Sequence, residues 1–109
     1  MAKNDLQGTL DLLVLQTLSH NGTLHGYGIV VHIQNASGEL LRVEEGSLYP
    51  ALQRLLLQGW VKAEWKMTET NRRARFYTLT AAGRKQLGLE VSQFEQMIAA
   101  IGRVMSEPA

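Results

Sequence analysis

GSLYPALQRLLLQGWVKAEWKMTETNRRARFYTLT, residues 46–80, decides the fold of this 109-residue chain. Its first part places Leu48, Leu52, Leu55 and Gly59 on one side of a helical wheel, a core-facing stripe. Tyr49, Pro50, Gln53 and Arg54 fall on the other side. Ser47 is expected as the N-cap, with Pro50 in the first turn, where its missing N–H costs nothing. The second part reads as two short strands. WVKAEWK (Trp60 to Lys66) alternates apolar and polar residues, and RFYTL (Arg75 to Leu79) is rich in β-formers. A polar, arginine-rich tip joins them. A short amphipathic helix backed directly onto a basic hairpin is what a winged helix requires.

The chemistry of the outward helix face suits a nucleic acid. Gln and Arg side chains can form paired hydrogen bonds with adenine and guanine edges, and Tyr and Ser hydroxyls can bond phosphates. An ordinary solvated face would carry similar residues, so the hairpin carries more weight. Between Lys66 and Lys85 the basic residues are Lys66, Arg72, Arg73, Arg75, Arg84 and Lys85, opposed only by Glu69. This segment therefore carries +5 on a chain whose net charge is +1. A local basic excess beside a groove-sized helix points to phosphate.

The rest of the chain is helical by pattern. A first helix is expected from about Thr9 to His20, with Leu10, Leu13, Val14 and Leu18 on one stripe and Leu12 and Leu15 on another side. A helix so apolar all round is expected to be covered on more than one face. Asn21-Gly22 ends it. A second helix runs from about His25 to Ala36, with Gly26, Ile29, Val30 and Ile33 on one face. Gly26 there would allow another backbone to approach. Leu40 to Val43 is read as an extended connector. The last helix is expected to start at Thr80 as N-cap and run to about Met105. Leu87, Val91, Phe94, Ile98, Ile101 and Met105 repeat along it at spacings of four and three, the pattern of a heptad seam. That seam continues past what a small domain can cover, which argues for dimerisation.

Composition excludes other classes. The chain has no cysteine, so neither a disulfide framework nor a thiolate metal site is available. MAKNDLQG lacks the charged-then-apolar pattern of an export signal, and no apolar run approaches the length that spans a bilayer. A cytoplasmic protein without membrane attachment is expected. His25 and His32 are seven residues apart, about 10.5 Å along a helix, too far to ligate one metal directly. His25 is read as a polar residue at a helix start. Glu44 and Glu45 favour the start of the following helix through its dipole. No phosphate loop, nucleophile elbow or zinc-protease motif occurs, so neither catalysis nor a cofactor is expected.

GTLDLLVLQTL (Gly8 to Leu18), LHGYGI (Leu24 to Ile29), GSLYPALQRL (Gly46 to Leu55), GWV (Gly59 to Val61) and RRARFYTLTAAGR (Arg72 to Arg84) occur in one order. In that order they resemble PadR-type transcriptional regulators over about residues 8 to 105, in particular the branch with a single C-terminal helix. The resemblance implies a homodimeric repressor that binds a pseudo-palindromic operator and releases it on binding a small molecule. Two features depart from the family pattern. Leu56 and Leu57 follow Leu55 where an acid is frequent, with Leu57 near the outward face. Tryptophan occurs only at Trp60 and Trp65, in the wing, and Phe94 is the only aromatic residue of the last helix. That does not support a flat drug stacked on a tryptophan of that helix.

The fold expected is mainly α with a small β-hairpin wing. Residues 1–79 would form the winged-helix DNA-binding part and residues 80–109 the dimerisation helix and tail, as one compact unit. Ser47, Tyr49, Pro50, Gln53, Arg54, Lys66, Arg72, Arg73 and Arg75 are the expected contacts to double-stranded operator DNA. Leu87, Val91, Phe94, Ile98, Ile101 and Met105 are expected at the dimer seam. Leu12, Leu15, Val91, Phe94 and Met97 are the expected walls of a cleft for a small apolar or aromatic effector. The alternative function is a winged-helix module that binds another protein instead of DNA.

Overall fold

The computed structural model describes residues 3–108, with side chains placed from Thr9 onward. Met1 and Ala2, which begin the stretch read as lacking an export pattern, lie outside the described residues. The elements are α1 (Lys3–Asn21), β1 (Thr23–His25), α2 (Gly26–Ala36), α3 (Glu45–Leu57), β2 (Val61–Met67), β3 (Arg73–Leu79) and α4 (Ala81–Met105). This is a mainly helical fold with a small antiparallel sheet, a winged helix followed by one long helix.

The core forms where every apolar stripe converges. Val14, Leu15 and Leu18 of α1, Ile29 of α2, and Leu48, Leu52 and Leu55 of α3 are fully or almost fully buried. Val61, Tyr77 and Leu79 of the sheet and Leu87 of α4 close the cluster. α1 lies at the centre and packs against α2, α3, α4 and β3. That is why it is apolar on several sides. It begins at Lys3, earlier than the apolar stripe indicates.

The sheet runs in the order β1-β3-β2. β1 was not anticipated. It is only three residues long and pairs Thr23 with Thr78 and His25 with Phe76. β2 and β3 pair from Val61↔Leu79 out to Met67↔Arg73. The ladder thus extends two residues beyond the expected strand start at Arg75, which puts Arg73 on a strand and leaves Arg72 in the turn. Asn71 turns the chain with a φ of 61°, in the left-handed region that asparagine tolerates. The Thr68 hydroxyl accepts from the Arg72 N–H at 3.1 Å and braces the same turn.

α3 corrects two expectations. It begins at Glu45 with Glu44 as an uncapped N-cap, so Ser47 is a helical residue and caps nothing. An acid in the first turn is favoured by the helix dipole, and this draws the start forward. Pro50 therefore stands in the second turn, removing one helical hydrogen bond on the exposed side. Gly59 does not continue the core stripe. It ends the helix with a φ of 76°, and the Trp60 N–H donates back to the Leu55 carbonyl at 3.0 Å, a Schellman closure.

α4 starts as its sequence indicates. The Thr80 hydroxyl accepts from the Gly83 N–H at 3.0 Å and donates to the Gly59 carbonyl at 2.7 Å. The helix is pinned at once onto the α3–β2 turn. Past Leu87 no α4 residue is fully buried. The molecule spans 59 × 29 × 23 Å with a radius of gyration of 15.5 Å. A compact chain of this length would have about 13 Å, and the projecting α4 accounts for the excess.

Candidate nucleic-acid interface

The outer face of α3 consists of Ser47, Tyr49, Pro50, Gln53 and Leu57, all exposed. Leu57 is 88% exposed, the most open large apolar residue of the chain's described part. Arg54 does not belong to that face. Its Nη2 lies 2.9 Å from Asp11 Oδ1 on α1, and its Nε is buried without a hydrogen-bond partner. The wheel placed Arg54 outward because it ignored α1, which runs beside α3 and offers a carboxylate. The exposed face of α3 consequently carries no cation.

The wing supplies the charge. Arg72, Arg73 and Arg75 are exposed, and the Arg73 guanidinium lies 4.9 Å from the centre of the Trp65 ring. That cation–π contact restrains the guanidinium beside the groove that both residues line. Lys66 is partly neutralised instead. It pairs with Glu64 at 3.0 Å and sits 5.9 Å above the Phe76 ring. Arg84 and Lys85, counted in the basic segment, lie near the start of α4 and not on the wing.

Between wing and helices lies an open groove of about 640 Å³. Tyr49 of α3, His25, Gly26 and Tyr27 at the start of α2, and Trp65, Arg72, Arg73, Arg75 and Tyr77 of the hairpin line it. Of the expected contacts, Tyr49 of the helix face and Arg72, Arg73 and Arg75 of the wing thus border one concavity, while Ser47, Pro50, Gln53, Arg54 and Lys66 lie outside its lining. The sequence reading missed Tyr27, Trp65 and Tyr77 here; the LHGYGI motif was the signal available for the first. His25 is the α2 N-cap, with Nδ1 accepting from the Gly28 N–H at 3.0 Å. Its ring meets Phe76 edge-on at 5.2 Å. Tyr77 is buried, and desolvation raises its hydroxyl above the ordinary tyrosine value, with the Arg75 guanidinium opposing that rise. His32 lies beside His20, with ring centres 5.5 Å apart, and among the described residues no group of three or more metal-binding side chains occurs.

α4 divides its heptad seam in two. Leu87 is in the core of its own chain, and Val91 packs half-buried against that core. Phe94, Ile98, Ile101 and Met105 are exposed, at 36%, 50%, 44% and 78%. Met97 is half-buried. Of the expected effector-site residues, Leu15 is fully buried among Val14, Leu18 and the α3 leucines, so it cannot line a surface cleft. Leu12 is half-buried and remains accessible to one. No described helix is long and apolar enough to cross a membrane.

A three-helix core, a basic antiparallel wing and a helix presented beside it define a winged-helix regulator of the DNA-binding type. Residues 14–89 match the sequence model of the transcriptional regulator PadR-like family, and the chain belongs to that family. Its members are regulators, not enzymes. Over 97 residues the chain is 38% identical to an uncharacterised 37.1 kDa protein of a Streptomyces fradiae transposon, covering 89% of this chain and 25% of that protein. It is 27% identical over 70 residues to the negative transcriptional regulator PadR of Bacillus subtilis, covering 64% of this chain and 38% of that protein. The chain thus spans well under half the length of both. A transcriptional regulator from Clostridium thermocellum superposes with a TM-score of 0.81 at 27% identity, over 94% of this chain and 96% of that one. Bacillus subtilis PadR in complex with operator DNA superposes with a TM-score of 0.63 at 26% identity, over 72% of this chain and 44% of that one.

Proposed function

We propose that this chain is a homodimeric repressor that binds a pseudo-palindromic operator. The carrying observation is the single groove bordered by the exposed Tyr49 of α3 and by Arg72, Arg73 and Arg75 of the wing. Helix and wing can then grip one stretch of duplex together. Gln53 and Pro50 face the base edges, where glutamine pairs with adenine and an apolar ring meets a thymine methyl. Ser47 and Tyr49 hold phosphate, and the three wing arginines provide most of the counter-charge, with Lys66 contributing less because Glu64 shares it. Arg54 acts from behind the face, tying α3 to α1. The operator-bound relative and the name of the Bacillus subtilis protein both support this reading.

The exposed apolar row Phe94, Ile98, Ile101 and Met105 supplies the dimer seam, with Val91 at its inner end. Where two such helices splay near α1, Leu12, Val91, Phe94 and Met97 would wall a cleft for a small apolar or aromatic effector that releases the operator. In this arrangement residues 81–105 join the two halves of the regulator, while the winged part keeps its own core. Such a repressor works in the cytoplasm, with its DNA.

The test is fluorescence anisotropy against a duplex that the protein itself selects from a random pool, run over a salt series. Tight binding that weakens steeply with salt supports the reading. Absence of DNA binding even at low salt would transfer the function to protein recognition, for which exposed Leu57 and the uncharged α3 face would be the contact. That contact would be nearly insensitive to salt.

A further inference from the structure

The LHGYGI motif does more than start a helix. Gly26 is the first residue of α2 and is buried. A Cβ placed on it would stand 3.0 Å from Tyr49 Oη, 3.2 Å from Cε1 and 3.3 Å from Cζ. The glycine is therefore a seat into which the Tyr49 ring settles. The expectation that Gly26 admits another backbone is corrected: it admits an aromatic side chain. Tyr49 remains 45% exposed, so one edge of its ring touches α2 while the other faces the groove. Tyr49 and Tyr77 both line that groove.

The position of this contact matters. α2 and α3 are joined by residues 37–44, which contain neither helix nor strand. Ile29, Ile33, Leu48 and Leu52 hold the two helices in the common core. Their groove-facing ends meet where Tyr49 rests on Gly26. The core packs the two helices together, and the Gly26–Tyr49 contact adds a close approach at the groove.

We propose that Gly26 is a positioning residue for DNA recognition: by seating Tyr49 it sets the angle at which α3 is presented and the place of the Tyr49 hydroxyl. The inference rests on the DNA-binding reading above. Addition of one methyl group at Gly26 pushes on the ring of a half-exposed tyrosine and not on the core. The fold is retained and the docking geometry is lost. Alanine also has the better helix propensity, which opposes any loss of stability.

A double-mutant cycle tests this on the full chain: Gly26→Ala, Tyr49→Ala and both together, each titrated into the self-selected duplex and into random duplex. Thermal unfolding and solution mass are measured in parallel. Gly26→Ala is expected to lower affinity for the selected duplex about tenfold in the wild-type background, with unfolding temperature and mass unchanged. In the Tyr49→Ala background the same substitution is expected to change affinity by less than about twofold, because no ring remains to be displaced. In the Tyr49→Phe background, which lacks the nearest atom but keeps the ring, Gly26→Ala is expected to lower affinity by less than it does in the wild type. Equal losses in both backgrounds would overturn the proposal, since Gly26 would then act on DNA by itself. So would no loss in either, or a Gly26→Ala variant that fails to fold. If the wild type binds no duplex at all, the DNA-binding reading fails first, and that outcome is distinct from the others.

Discussion

Arg54 of α3 reaches back to Asp11 of α1, Nη2 to Oδ1 at 2.9 Å, with Asp11 only 16% exposed and Arg54 36%. The helix proposed to face DNA is therefore fastened by charge to the helix at the centre of the core. The guanidinium Nε, buried and unpartnered, is already the least satisfied atom of this contact. Loss of the carboxylate would leave a second deficit on the same group. Asp11→Ala is expected to destabilise the fold by about 1 kcal/mol, the screened value for a half-exposed pair. Arg54→Met, which keeps the packed stem, is expected to leave the ratio of selected to random DNA affinity nearly unchanged. Denaturant titration checks the first outcome and anisotropy the second. A marked fall in that ratio would return Arg54 to the base-reading set.

Gly83 allows a second close approach, at the start of α4. A Cβ there would collide with the Trp60 carbonyl oxygen and would lie 2.8 Å from Leu79 Cδ1. Unlike the tyrosine over Gly26, a backbone carbonyl cannot swing away. The same carbonyl also accepts the Thr80 N–H at 3.0 Å. Gly83→Ala is expected to cost about 2 kcal/mol, in the range for overpacking a filled site. Gly88→Ala is the control, since nothing stands within 4 Å of a Cβ there, and it is expected to be neutral or stabilising. Thermal or denaturant unfolding of both variants measures the difference.

Much of this arrangement was legible in the sequence, for identifiable reasons. The α4 N-cap at Thr80 is a local hydrogen-bond pattern and needs no tertiary knowledge. The leucine stripe of α3 and the polar turn at Asn71 are local in the same sense. What escaped depends on partners distant in the chain. Arg54 looked outward until α1, 43 residues earlier, supplied Asp11. The β1 strand exists only because Thr23 to His25 lie along β3. The heptad seam of α4 was visible as a pattern, but not that Leu87 would be taken into its own chain's core while Phe94 stayed outside. The Ser47 cap failed because serine at that spot competes with Glu45, two residues earlier, for the helix start.

Tyr77 gives the fold a limit in alkali. Burial raises its hydroxyl above the ordinary value, and the neighbouring Tyr49 adds to this when ionised, while Arg75 works in the opposite direction. The unfolded chain loses that proton at about pH 10. The folded chain loses it at higher pH, so above pH 10 ionisation favours the unfolded state. The stability contributed by neutral Tyr77 is fully present below pH 10 and falls as pH rises through the folded value. Tyr77→Phe is expected to flatten this alkaline decline. Denaturant midpoints at intervals between pH 8 and about pH 11 compare the two slopes.

The wing arginines are expected to act through charge and not through sequence. Arg72 lies in the turn, and Arg73 and Arg75 lie on β3, all exposed at the groove rim. Loss of a phosphate contact weakens all duplexes alike and lowers the salt slope by about one per contact. Arg72→Ala combined with Arg73→Ala is expected to reduce the slope by about two and to preserve the ratio between selected and random DNA. Gln53→Ala should do the reverse, leaving the slope intact and narrowing the ratio. If the arginine pair narrowed the ratio instead, the wing would be reading base edges or groove shape.

The exposed row on α4 carries the assembly prediction. Phe94, Ile98, Ile101 and Met105 follow one another at heptad spacing on a helix that leaves its own core after Val91. An isolated stripe of this kind would remain in water, where its apolar area is costly, and a second copy presents the same stripe in return. Phe94 stands nearest the core end, so its partner contact is the most sheltered. Phe94→Asp is expected to bury an unpaired carboxylate at that point and to shift the protein to monomer at micromolar concentration. Leu89→Asp, on an exposed residue off the row, is expected to leave the dimer intact. Light scattering of wild type and both variants decides the matter. A wild type with the mass of one chain, or a Phe94→Asp protein still dimeric at the same concentration, would remove α4 from the interface and leave each half-site to bind alone.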